Sequence, residues 1–208
     1  MANTDRANGA LPVGTLSGSP WQDSVQAFVL DGSHSAIAVG DLVQMTADGY
    51  LDVYAAGETG FIGVMVGKVP AGSTTVLGKQ GEHFLSADSP VLSGAAANQS
   101  AANATDMILV CTAPDAIFEM QEDGDTDPLE LADVGANIEI INGGISATTG
   151  ISGMELDSDT HNTTNTLPFR LLGLVQRPDN EYVSGGQAAT RWLVTPANHS
   201  YSGLNVGL

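Results

Sequence analysis

Glycine and proline interrupt this chain so often, 25 and 9 times in 208 residues, that long regular elements are excluded. Between the interruptions lie short apolar runs, several with the two-residue period of a strand. Asp41-Leu42-Val43-Gln44-Met45 leads through the hairpin dipeptide Asp48-Gly49 into Tyr50-Leu51-Asp52-Val53-Tyr54. In the second run Leu51 and Val53 share one face, and Tyr50, Asp52 and Tyr54 the other. Phe61-Ile62-Gly63-Val64-Met65-Val66 is apolar on both faces, which predicts a central strand covered from both sides. Further runs at Met107 to Thr112, Ile117 to Gln121, Asn137 to Ile141, Phe169 to Arg177 and Thr190 to Thr195 extend the series. Arg177-Pro178-Asp179-Asn180 reads as the turn between the last two.

These runs predict a mainly β fold, a small barrel or sandwich of about eight or nine short strands. One short helix is expected, with Asp127 as N-cap, Pro128 in its first position, Glu130 completing a capping box and Gly135 as terminator. Residues 1–24, polar and broken by glycine and proline, read as an extended arm, with Leu11, Val13, Leu16 and Trp21 spaced along it as contact residues. Residues 25–208 then form a single β-rich domain with long polar loops at 86–106 and 142–166.

Hydrophobic residues make up 42% of the chain and charged ones only 14%, so a core can form. Aromatics are 5%, which makes that core chiefly aliphatic. Against 24 acidic residues stand six basic ones, Arg6, Lys68, Lys79, Arg170, Arg177 and Arg191, giving a net charge of -18. Nucleic-acid affinity is built on several Lys and Arg side chains, so nucleic acid is not an expected partner, and an anionic membrane would repel the chain. No apolar run approaches the roughly 20 residues that span a bilayer. The first sixteen residues show no secretory signal pattern, and synthesis in a reducing cytoplasm is the default expectation.

Chemistry-bearing motifs are sparse, and no enzyme is predicted. Cys111 is the single cysteine and sits inside an apolar run, which predicts a buried thiol and excludes an intrachain disulfide. His34, His83, His161 and His199 occur singly, without metal-ligand spacing. His161 lies near Asp157 and Asp159, but the chain has no GxSxG nucleophile turn to complete a triad. Asp123-Gly124-Asp125-Thr126-Asp127 opens like a calcium loop and then departs from it, with Pro128 where glycine is required and Val134 where the bidentate glutamate belongs. A solvated acidic turn is therefore expected, and no metal or other cofactor is assigned. Glu155, Asp157 and Asp159 alternate, which puts them on one side if that stretch is extended. An internal carboxylate pair is expected for Arg170, an intersubunit one for Arg177; Trp192 reads as core.

Taken together, the opening MANTDRANGALPVGTLSGSPW, the stretches GDLVQM and GFIGVMVG, and the later IFEMQEDG, LADVGANIEI, TGISGMELDS, FRLLGLVQRPDNE and RWLV resemble the head decoration, or cement, proteins of tailed bacteriophages. The resemblance implies a structural virion protein. It would attach to the outer surface of an assembled capsid as a small homo-oligomer, dimer or trimer, and lock neighbouring major capsid protein subunits together. The acid excess fits that side of the shell, because packaged DNA would repel such a chain from the inner wall. Deleting residues 1–24 is then expected to abolish attachment and leave the domain folded, and contacts are expected to strengthen with salt. A calcium- or carbohydrate-dependent adhesin module is the alternative.

Overall fold

The computed structural model describes residues 3–28, 30, 35–47, 49–58, 60–69, 84–85, 107–125, 127–183 and 189–202. Thirteen strands occur among them. They are β1 (Leu11–Thr15), β2 (Val25–Phe28), β3 (Ile37–Ala38), β4 (Leu42–Met45), β5 (Leu51–Val53), β6 (Gly63–Val69), β7 (Phe84–Leu85), β8 (Met107–Cys111), β9 (Ala116–Gln121), β10 (Asn137–Ile145), β11 (Ser152–Asn162), β12 (Phe169–Leu174) and β13 (Arg191–Pro196). The fold is mainly β, in two principal antiparallel sheets with the orders β1-β9-β13-β12-β10-β11 and β2-β8-β6-β4-β5; β3 and β7 pair separately.

Both principal sheets contribute to one apolar cluster, as in a sandwich. Leu42, Val64, Met65, Ile108 and Val110 come from one sheet, and Phe118, Met120, Ile140, Phe169, Trp192 and Val194 from the other. The scarce aromatics are concentrated here. The Phe61 ring lies 5.2 Å from Phe169 and 6.3 Å from Tyr54, and Phe118 lies 5.8 Å from Phe169, all in tilted or edge-on arrangements. Gly63 permits the close approach of β6 and β8, because a Cβ there would run into the Cys111 carbonyl. Gly49 adopts a positive φ of 81° in the turn that joins β4 to β5, where the hairpin dipeptide was expected.

Four expectations need correction. Residues 3–16 are not an arm apart from the domain: β1 is an edge strand of the six-stranded sheet, with Leu11 opposite Glu119 and Thr15 opposite Ala116. Its register shifts between Pro12 and Gly14. Ala10 is fully buried and donates to Gly40 O at 2.9 Å, and Asn3 exchanges two hydrogen bonds with the Glu181 backbone. Second, the expected two-turn helix is a single 3₁₀ turn at Leu131–Asp133, capped by Glu130 and Asp133 instead of Asp127 and Glu130. Third, much of the expected loop at 142–166 is strand: β10 runs on to Ile145 and β11 is eleven residues long. Its alternating burial, with Ser152, Met154, Leu156 and Ser158 inward, is a strand signature carried by residues of low strand propensity. Fourth, Tyr54 is buried with Leu51 and Val53, its hydroxyl donating to Glu58 O at 2.9 Å. The expected loop at 86–106, His34 and His83 lie outside the described residues.

Candidate functional site

The residues expected to make contacts divide into two groups. Val13 and Leu16, on and just beyond β1, are 51% and 59% exposed, although both are apolar. Leu11 is half-buried on the same strand. Trp21 instead packs against the chain's own core, at the start of a 3₁₀ turn whose carbonyl at Trp21 accepts from Ser24 Oγ at 2.7 Å. The N-terminal surface available to a partner therefore centres on Val13 and Leu16.

Arg177 is committed within the chain. Its Nη1 and Nη2 donate to the two Glu119 oxygens at 2.9 and 2.8 Å, the two-pronged geometry that suits a guanidinium, and its Nε reaches Asp179 at 3.2 Å. Arg191 approaches the same Glu119 at 3.3 Å and donates to Arg6 O at 2.8 Å. Glu119 is buried, so two guanidinium groups compensate one desolvated carboxylate and tie β9, β13 and the 177–180 turn to the N-terminal segment. The turn itself forms as expected, Asn180 N donating to Arg177 O. This corrects both arginine assignments, because Arg170 is exposed and donates from Nε to Asn137 Oδ1 at 3.0 Å.

The two acidic stretches meet. Glu122 forms a bridge with Leu156, and Asp123 N donates to Leu156 O at 3.0 Å, which lays residues 122–125 beside β11. Carboxylate oxygens of Asp123, Asp125 and Asp157 then lie within 4.8 Å of one another. Ser158 Oγ stands between Asp123 Oδ1 at 2.9 Å and Asp125 Oδ1 at 2.8 Å. Burial first, and then the neighbouring carboxylates Asp123 and Asp125, push the Asp157 pKa up. Burial also raises Asp123. Such a grouping has the hard oxygen donors that a divalent cation takes. Neither stretch alone showed it, because the juxtaposition depends on a pairing between segments distant in sequence.

His161, His199 and Cys111 are built into the fold. His161 Nδ1 lies 2.7 Å from Ser158 O and its Nε2 3.4 Å from Asp133, so its contacts are those of a loop brace. His199 is buried edge-on to Phe61, and burial lowers its pKa to about 4, which keeps it neutral. Cys111 is buried beside Ser24, and burial raises the pKa of its thiol, opposite to the shift that activates a nucleophile. A cleft lined by Asp5, Arg6, Asn8, Thr148, Thr149 and Glu155 separates the N-terminal segment from the β10–β11 hairpin, with a volume of about 690 Å³. No family model matches the chain, and neither a curated protein sequence nor a solved structure does so.

Proposed function

We propose that this protein is a structural component of a bacteriophage virion, bound as a small homo-oligomer to the outer surface of an assembled capsid, where it cements neighbouring major capsid protein subunits. The observation that carries the reading is the exposure of Val13 on an edge strand fastened to β9 and of Leu16 just beyond its end, where Leu16 N donates to Asp115 O. In a chain of net charge -18, exposed apolar side chains on a fixed strand are a surface suited to a protein contact. The work of such a protein is mechanical: each capsid subunit it bridges adds contact area that must be broken before the shell opens. The overall resemblance to decoration proteins points the same way.

Co-sedimentation with undecorated capsids tests the reading. Val13→Ser with Leu16→Ser is expected to weaken attachment at least about tenfold, while the melting temperature stays within about 2 °C, since exposed side chains contribute little to stability. Wild-type protein that fails to pellet with capsids would refute the cement role.

The carboxylates of Asp123, Asp125 and Asp157 favour a second reading, a calcium-dependent binding module. If it holds, calcium at about 100 times its dissociation constant stabilises the fold by about 2.7 kcal/mol, and Asp157→Asn abolishes the effect. The cement role predicts a melting temperature insensitive to calcium beyond ordinary ionic screening.

A further inference from the structure

Two asparagines in the sequence precede glycine, Asn8 and Asn142. Glycine has no side chain to shield its backbone nitrogen, so Asn-Gly is the pair in which that nitrogen reaches the asparagine Cγ most readily. The fold treats the two differently. Asn142 is exposed, and so are Gly143 and Gly144. Across the β10–β11 ladder Asn142 faces Met154 and Ile145 faces Ser152, so three steps on β10 match two on β11 and the extra residue leaves the regular pairing. Gly144 N donates to Asn142 Oδ1 at 2.9 Å, closing a small ring that holds both the Asn142 Cγ and Gly143 N. Packing keeps the pair intact: a Cβ at residue 143 would run into the Gly153 carbonyl, so glycine is required there.

Asn8 is held. In the orientation that satisfies both ends of its amide, it donates to Ala7 O at 3.0 Å and accepts from Arg191 Nη2 at 3.3 Å, which turns the side chain back toward residue 7. Gly9 is buried, and Ala10 N beyond it is bonded to Gly40 O at 2.9 Å. We propose that Asn142 is a site of spontaneous covalent modification in the folded protein, and that folding protects Asn8. Gly143 N attacks Asn142 Cγ: a C–N bond forms to close a succinimide ring, the bond from Cγ to Nδ2 breaks, and the proton of Gly143 N leaves with Nδ2 as ammonia. Negative charge builds on Oδ1 during the attack, where Gly144 N–H already donates. Water then opens the ring at either carbonyl, leaving aspartate or, where the chain runs on through the side chain, isoaspartate. Either product puts a carboxylate at residue 142, next to Gly143 on the wall of the cleft that Arg6 and Thr149 also line. The site stands on its own geometry and not on the function proposed above.

Peptide mapping of the full chain tests this. Samples held folded and samples held in urea, at the same mildly alkaline pH, are cleaved after glutamate, which releases residues 140–155, where Asn142 is the only amide side chain. That peptide is expected to gain about 1 Da at least as fast from the folded chain as from the unfolded one. The gain at Asn8, located by fragmentation, is expected to slow about tenfold or more on folding, because its reacting atoms are held apart. An isoaspartate-specific methyltransferase should label the 140–155 product, since the ring route yields isoaspartate and direct hydrolysis of the amide does not. Asn142→Gln, whose ring would need one more atom, is expected to stay unmodified, with a melting temperature within about 2 °C of wild type. A rate at residue 142 that falls on folding would overturn the inference, as would a product containing aspartate alone. Equal rates at Asn8 in the two states would overturn the protection assigned to it.

Discussion

Glu122→Gln is expected to stabilise the fold by about 3 kcal/mol at pH 8 and by less than about 1 kcal/mol at pH 5. Glu122 is wholly buried; one of its oxygens accepts from Leu129 N, and burial raises its pKa from 4.5 to about 7. The folded chain therefore takes up this proton at a higher pH than the unfolded chain does. Between those two values stability falls as pH rises, because the charged form must be held out of water. Glutamine keeps a carbonyl acceptor for Leu129 and has no charge to desolvate. At about 2–4 °C per kcal/mol for a chain of this size, the gain at pH 8 is about 8 °C in melting temperature.

Asp41, also buried and raised by burial to about 6, contributes in the same direction. His199 opposes them. Its pKa is lowered to about 4, so the unfolded chain binds its proton more readily and stability falls as pH drops below about 6.5. Because every other titrating group is common to both proteins, the variant's difference from wild type isolates the glutamate. Thermal melts of both proteins across that range decide the matter; an equal effect of Glu122→Gln at the two pH values would contradict it.

Removal of residues 1–16 is expected to cost about 5 kcal/mol or more, enough to abolish cooperative unfolding in a fold of ordinary stability. The deletion takes β1 from β9, uncovers the groups around Ala10, and strips Gln121 of its bonds to Arg6 N and Asp5. Arg191 loses the Arg6 carbonyl as well. The sequence alone led to the opposite expectation, an arm whose loss leaves the domain intact. Circular dichroism and urea melts of the truncated chain distinguish the two; a native-like melt would show that β1 is dispensable. Capsid attachment should therefore be tested with the Val13 and Leu16 substitutions, not with truncation.

The parts of the fold that were legible in sequence are those where apolar periodicity and turn chemistry agree. Leu42 to Met45 and Leu51 to Val53 flank Asp48-Gly49, and the runs around Phe169 and Trp192 became neighbouring strands. β11 was hidden because glycine, serine and aspartate carry its alternation, and only pairing with β10 makes that pattern a strand. The helix was over-read at Asp127-Pro128, where local capping chemistry is present but only one 3₁₀ turn follows. Arg177 was misassigned because its carboxylate partner, Glu119, comes from a distant strand.

Pro12 and the shifted register beside it bear on how these molecules behave when crowded. An edge strand with a continuous rail of free amide and carbonyl groups invites another copy to continue the sheet, and repeated addition ends in fibres. Proline supplies no amide hydrogen, and the irregularity breaks the spacing that a new strand would need. Another copy can therefore stand against this edge without continuing the sheet through β1, and contacts here are left to the side chains.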